Sequence, residues 1–149
     1  MRAVIQRCNW CKVDSEGREV SRIGKGISVL LGIKKGDTEK DALYIADKIL
    51  HLRIFEDSDD KLNLSVIDVG GEVSIVSQFT LYGDARKGRR PSFTEAERPE
   101  RAIELYNYVV QLIREAGVTA GTGQFQTHMK INLENDGPVT ILLDSERNF

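Results

Sequence analysis

Two short segments concentrate residues whose types and spacing could act on an ester: Ser77-Gln78-Phe79-Thr80-Leu81 and Asn135-Asp136-Gly137-Pro138-Val139-Thr140. The first puts two hydroxyls, an amide and an aromatic ring at the end of a strongly apolar, β-branched run. Polar groups in such a place cost free energy unless they are hydrogen-bonded or used. Backbone N–H groups at a strand end can also stabilise a developing oxyanion. The plainer reading is a strand whose Ser and Thr bond to their neighbours. A hydroxyl nucleophile would need an adjacent base. Neither His51 nor His128 stands near one of these hydroxyls in sequence, and there is no G-x-S-x-G elbow. A conventional Ser-His-Asp triad is therefore not expected.

The second segment reads first as a turn, because Asn, Asp, Gly and Pro are turn residues. Yet Pro donates no hydrogen bond and Gly presents bare backbone. A rigid tip without side chains suits close approach to a ligand. Sequence alone leaves the isomer of the Gly137–Pro138 peptide open.

Other constellations are weaker. Cys8-Asn9-Trp10-Cys11 could be a redox pair or half of a zinc site with His51 and His128. A redox pair gains its reactive thiolate at a helix N-terminus. Here a strand-like run precedes the pair and no helical pattern follows. Residues three apart on a regular strand also face opposite sides. Two structural thiols are expected, with no metal and no cofactor. Gly24-Lys25-Gly26 precedes a strand, the reverse of a phosphate loop. Arg86-Lys87-Gly88-Arg89-Arg90 is the densest basic run, readable as an RNA contact or as a solvated loop.

The elements that must position these residues are mostly strands. Residues 1–7, 26–33 and 72–81 read as strands, the second nearly all apolar as in a strand covered on both faces. Met129, Ile131 and Leu133 alternate with Lys130, Asn132 and Glu134, the period of a half-buried strand. Val139 to Leu143 follows as a further strand after a tight Asn-Asp-Gly-Pro connection. Ala42, Ile45, Ala46 and Ile49 line one face of a helix capped by Asp37 or Thr38. Ala102, Leu105, Tyr106, Val109, Leu112, Ile113 and Ala116 line a longer one, with Pro99 near its start and Gly117 at its end. Two one-sided helices cannot enclose so many strands, so helices on one face with another β layer behind are expected.

The 149 residues, 40% hydrophobic and 30% charged, fit one domain spanning 1–149. There is no internal repeat or long linker. No run approaches the ~20 apolar residues of a membrane span, and the N-terminus turns polar too early for a signal peptide. A cytoplasmic protein is expected. The net charge of −2 argues against a non-specific nucleic-acid binder, although a local basic patch leaves an RNA substrate open.

Taken together, the segments resemble the D-aminoacyl-tRNA deacylase (D-tyrosyl-tRNA deacylase) family almost from end to end. The resemblance runs from residues 1–7 through Lys48-Ile49-Leu50-His51-Leu52-Arg53-Ile54-Phe55-Glu56-Asp57 and Val76-Ser77-Gln78-Phe79-Thr80-Leu81-Tyr82-Gly83. It continues through Lys87-Gly88-Arg89-Arg90-Pro91-Ser92-Phe93 to Asn135-Asp136-Gly137-Pro138-Val139-Thr140. The SQFTL and NxGPVT motifs are specific.

The resemblance implies an α/β protein with a three-layer β/β/α fold, mixed sheets and helices on one face, forming a two-fold homodimer. It implies hydrolysis of the ester joining a D-amino acid, or glycine, to the tRNA 3′ end. It makes Gly137 and Pro138 a cis-peptide gate that enters the partner's site and excludes L side chains, with Arg7 as its brace. Backbone amides of Phe79 and Thr80 would hold the ester carbonyl, and Ser77 and Gln78 would shape the pocket. Phe125 and Met129 would border the adenosine, and Asn135 would contact substrate. The terminal ribose 2′-hydroxyl would activate water. Thr80 as nucleophile is the alternative for the chemistry, and a non-catalytic tRNA-binding module is the alternative for the function. Two stretches depart from the family pattern. Gln126-Thr127-His128 stand where small residues, often Gly-Ala, are usual after Phe125, and the Cys8/Cys11 pair is unusual. His128 is expected to point outward on an alternating strand, with a contact to the pocket as the alternative.

Overall fold

β1 (Arg2–Ser15) is the axis of the computed structural model, which describes residues 1–149. One edge of β1 pairs antiparallel with β3 (Gly26–Gly32) through residues 2–8, and with β2 (Arg18–Ile23) through residues 11–15. Its other edge carries β8 (Met129–Asp144) along nearly the whole length. β3 then pairs parallel with β6 (Glu72–Ser77), and β6 parallel with β7 (Ala120–Thr122). The sheet is therefore mixed, in the order β2-β1-β3-β6-β7 with β8 on β1. A separate two-stranded hairpin joins β4 (Phe55–Glu56) to β5 (Leu62–Leu64).

Alternation along the strands sorts the core. Ala3, Ile5, Ile27, Val29, Leu31, Val73 and Ile75 turn one face of the sheet toward α1 (Glu39–His51) and α2 (Pro99–Glu115). α1 starts where Thr38 and Asp41 exchange side-chain bonds with each other's backbone, a capping box. It buries Ala42, Ile45, Ala46, Ile49 and Leu50. α2 begins with Pro99 and buries Ala102, Leu105, Tyr106, Val109, Val110 and Ile113. Of the expected stripe, Leu112 is only half-buried and Ala116 lies exposed at the C-cap.

Behind the sheet lies the second β layer. β1 shifts register between Gln6 and Cys8 and again between Cys8 and Trp10, irregularities that bend a strand, and β2 at its far half contacts β6 and β7 without pairing to them. Cys8, Cys11 and Ile23 form a small second core there, flanked by Ile131 and Leu133. These shifts correct the expectation from regular alternation: both thiols are buried on the same side. Burial pushes the Cys8 thiol up to about 12, with Cys11 and Asp136 adding to the effect.

Two further expectations change. β6 stops at Ser77, and Phe79–Tyr82 form a short 3-10 turn instead of more strand. Residues 129–144 form one strand rather than two joined by a turn. No helix is long and apolar enough to cross a membrane.

Candidate active site

The end of β6 opens onto a cleft of about 820 Å³. Ser77, Gln78 and Phe79 form one wall, while Phe125 and Met129 form another. Tyr106 of α2 props that second wall: its ring lies 6.2 Å from Phe125, and its hydroxyl donates to Ile75 O at 2.7 Å. Burial pushes the Tyr106 hydroxyl up to about 12, so it remains a donor throughout the neutral range. The 3-10 turn after β6 leaves Phe79 and Thr80 exposed. Neither of their N–H groups donates to a side chain or loop carbonyl. First-turn N–H groups have no intrahelical acceptor either. They are thus free to meet an oxygen from outside. Thr80 Oγ1 accepts from Gln78 Nε2, and no carboxylate or imidazole bonds to it. A nucleophile there would lack the base it needs.

The chain between Phe125 and Met129 is a turn, not part of the alternating strand. Gln126 takes a left-handed conformation at φ 59°. Thr127 is held by Ser15 Oγ at 2.7 Å, and its own hydroxyl donates to Gln124 O at 2.8 Å. Gln126, Thr127 and His128 all border the cleft, so the outward placement of His128 is corrected: it is exposed, but at the cleft's edge.

Sequence reasoning missed part of this lining. Phe93 sits edge-on against Phe79, with centroids 5.2 Å apart at 71°. Lys35 and Arg98 bring the cleft two cations. A lone aromatic within a polar, basic segment was a usable signal for Phe93. Lys35 and Arg98 offered none.

The second segment lies elsewhere on the chain, and neither Gly137 nor Pro138 lines the cleft. Gln6 pairs with Thr140 and Cys8 with Asn135, so the stretch 136–139 of β8 bulges out opposite Arg7 alone. The Gly137–Pro138 peptide at its tip is cis. Gly137 has φ 120°, a region closed to L side chains, and a Cβ there would lie 3.1 Å from the Arg7 guanidinium.

Arg7 is 3% exposed and fills the space beneath the bulge. Its Nε donates to Asp136 O at 3.1 Å and pairs with Asp136 Oδ2 at 3.2 Å. Its Nη1 donates to Ile54 O at 2.8 Å and to Glu56 Oε2 at 2.7 Å. The β4–β5 hairpin thus anchors the brace, and Phe55 lies 5.9 Å from the guanidinium. The hydrogen bond from Arg7 holds the Glu56 carboxyl below the usual carboxylate range.

The structure therefore brings together Ser77, Gln78, Phe79, Phe125 and Met129, with Thr80 next to them in the 3-10 turn. It separately brings together Arg7, Asp136, Gly137 and Pro138, with Asn135 exposed at the start of the bulge. No three His, Cys, Asp or Glu side chains converge on a common point, so the imagined grouping of Cys8 and Cys11 with His51 and His128 does not form.

The family model described as D-Tyr-tRNA(Tyr) deacylase matches residues 4–144. This chain belongs to the D-aminoacyl-tRNA deacylase family. A D-aminoacyl-tRNA deacylase of Clostridium botulinum (strain Hall) is 57% identical over 149 residues, covering all of both chains. Those of Clostridioides difficile and Thermosipho melanesiensis are 56% and 55% identical, again over the full length of both. Among solved structures, a c-Myc DNA unwinding element binding protein superposes with a TM-score of 0.91 at 40% identity, over 97% of this chain and 98% of that one. A probable eukaryotic D-amino acid tRNA deacylase shares the fold at a TM-score of 0.80 and 19% identity, over 95% and 97% of the two chains. The deacylase fold is the β/β/α arrangement described above, with both helices on one face of the mixed sheet.

Proposed function

We infer that this deacylase-family protein hydrolyses the ester between a D-amino acid, or glycine, and the 3′-terminal ribose of tRNA. The observation that carries the reading is a roomy cleft with free backbone donors at Phe79 and Thr80 and no base on the Thr80 hydroxyl. Such a site does not supply a protein nucleophile. It supplies positioning and oxyanion stabilisation, which are worth most where donors are fixed in advance. The ester carbonyl oxygen would accept from the N–H groups of Phe79 and Thr80. Water would attack its carbon and pass a proton to the adjacent ribose 2′-hydroxyl, which would hand its own proton to the 3′-oxygen. The C–O3′ bond would then break, giving free amino acid and tRNA with the 2′-hydroxyl restored. Ser77 and Gln78 shape the pocket, and Phe125 with Met129 faces the adenosine.

Selection against L-aminoacyl esters is assigned to Gly137 and Pro138. The tip lies outside its own chain's cleft, which is compatible with the role the family resemblance implies, entry into the cleft of a second copy, with a two-fold dimer exchanging tips reciprocally. Fixed main-chain atoms at that tip would accept the substrate's amino group and fill the space an L side chain needs. Discrimination then arises by exclusion, and glycine, with no side chain to exclude, passes. Asn135 would contact substrate beside the tip.

Hydrolysis of D- and L-tyrosyl-tRNA by the purified protein, followed in parallel, tests this. Release of the D-amino acid with the L-ester left intact is expected. Comparable rates for the two would refute the exclusion reading. Binding of tRNA with no ester turnover would favour a non-catalytic tRNA-binding module instead.

A further inference from the structure

The basic run at residues 86–90 is not a free loop. Asp84 N donates to Ser92 O at 2.7 Å and Ser92 N to Asp84 O at 2.9 Å, closing a hairpin beneath it. That hairpin is fixed to the cleft. Phe93 packs on Phe79, Lys35 N donates to Glu95 O at 2.9 Å, and Glu97 N donates to Ile33 O at 3.0 Å. Residues 85–91 project from this clamped base and are all exposed.

The charges divide into tied and untied. Arg86 grips Asp84 with two bonds, at 2.9 and 2.8 Å, and holds that carboxyl far below its ordinary range. Lys87, Arg89 and Arg90 form no ion pair, and neither do Lys35 and Arg98 in the cleft. After Asp84, the acids nearest the tip in sequence are Glu95 and Glu97, and Glu97 already accepts from Arg98 N at 2.7 Å. In a chain of net charge −2, five unpaired cations between one hairpin tip and the cleft it flanks are a local concentration. A solvated surface loop would not need its base clamped at three points beside a pocket.

We propose that Lys87, Arg89 and Arg90 seat the phosphates of the single-stranded nucleotides just 5′ of the terminal adenosine, whose ester enters the cleft. This rests on the deacylase reading above. Contacts of this type fix register and orientation but read no bases. Such a track would hold the invariant 3′ strand of any tRNA without preference among tRNA bodies. It would also align the ester with the Phe79 and Thr80 donors before the chemistry.

The test compares the wild type with the triple variant Lys87→Ala, Arg89→Ala, Arg90→Ala on three substrates. They are D-tyrosyl-adenosine, a 5′-phosphorylated D-tyrosyl-CCA trinucleotide, and D-tyrosyl-tRNA. The variant should hydrolyse the adenosine ester normally. Its KM should rise about tenfold or more on the trinucleotide and on tRNA alike, with kcat unchanged. Each lost phosphate contact should flatten the plot of log kcat/KM against log salt by ~0.7, roughly 2 for all three. A charge-preserving variant, Lys87→Arg, Arg89→Lys, Arg90→Lys, should keep the wild-type slope. An equal loss on the adenosine ester would overturn the proposal, since the tip would then be supporting the cleft itself. A loss seen with full tRNA alone would overturn it too, by assigning these cations to the duplex. So would no loss on any substrate. A wild-type protein inert on D-tyrosyl-tRNA would instead sink the deacylase reading, leaving the two failures distinguishable.

Discussion

The cleft at the end of β6 and the bulge in β8 solve opposite physical problems. The cleft keeps donors unsatisfied: the N–H groups of Phe79 and Thr80, in an exposed 3-10 turn, donate to no side chain or loop carbonyl. The bulge satisfies nearly everything. Arg7, almost without exposure, holds Asp136 O, Ile54 O and two carboxylates, so the tip at 137–138 has little freedom left. On the function proposed above, catalysis by positioned backbone would need vacancy at one place, and selection by exclusion would need rigidity at another. That contrast predicts that damage to the bulge should be severe and cooperative, while damage to side chains around the cleft should be mild.

The largest effect is expected at Arg7. Arg7→Ala would leave two carbonyls without their donor, at ~1–3 kcal/mol per unsatisfied buried group, and would open a hole under the tip. A stability loss of about 2–4 kcal/mol in urea denaturation is expected, together with a fall in D-tyrosyl-tRNA turnover of about 100-fold or more. Arg7→Lys keeps the charge but not the fork that reaches several acceptors at once, so it should recover only part of either quantity. A fully active Arg7→Ala protein would remove the bulge from the mechanism.

Gly137→Ala comes next. The added Cβ meets Val139 Cγ2 at 2.9 Å and the Arg7 guanidinium at 3.1 Å, in a backbone region that L residues avoid. Strain of this kind costs ~1–3 kcal/mol. Displacing a positioning element by about 1 Å can cost ~100-fold in rate. The revealing measurement is the D/L ratio. It should collapse toward unity in Gly137→Ala while the unfolding midpoint moves only modestly. An unchanged ratio would place the source of selectivity elsewhere.

Much of this contrast was legible in the sequence, but unevenly. Period-three-to-four stripes marked both helices, and apolar runs marked β3 and β6, because burial writes directly into composition. The bulge was not legible in the same way. Asn135 to Pro138 carry turn chemistry, and what makes them a bulge within one long strand is the pairing of Gln6 with Thr140 and Cys8 with Asn135, a long-range fact. The register shifts that bring Cys8 and Cys11 to one side are invisible for the same reason. The role of Arg7 came from resemblance alone. Its partners Ile54 and Glu56 lie some fifty residues away, and no local pattern links them. The end of β6 at Ser77 was missed because Phe79 to Leu81 have high strand propensity, which the packing of the 3-10 turn overrides.

On the cleft side, Thr80→Val should be a mild change. It removes the hydroxyl while keeping shape and the backbone N–H. The lost group accepts only from Gln78, so a fall in kcat of less than about tenfold is expected in single-turnover assays. A loss near the ~10⁴–10⁶-fold typical of removing a covalent nucleophile would return Thr80 to the nucleophile's role. It would also reverse the assignment of chemistry to backbone and substrate.

The smallest effect is the one that separates rigidity from catalysis. The hydrogen bond from Arg7 lowers the Glu56 carboxyl from its ordinary value of 4.5, so the folded state binds the proton less readily than the unfolded state does. Linkage then fixes the sign. The contribution of the pair to stability is fully present above about pH 4.5, and it is lost as pH falls through the depressed folded value. Because Glu56 is well exposed, solvent screens the pair and the contribution is modest. Glu56→Gln should therefore be slightly less stable than the wild type at pH 7, and the difference should shrink as pH falls through the lowered Glu56 pKa and also in high salt. Its D/L ratio should stay near wild type, since Arg7 would keep its bonds to Asp136 and Ile54. A Glu56→Gln protein that lost discrimination at pH 7 would show that the tip depends on the whole network, and the brace would then extend from Arg7 out to the β4–β5 hairpin.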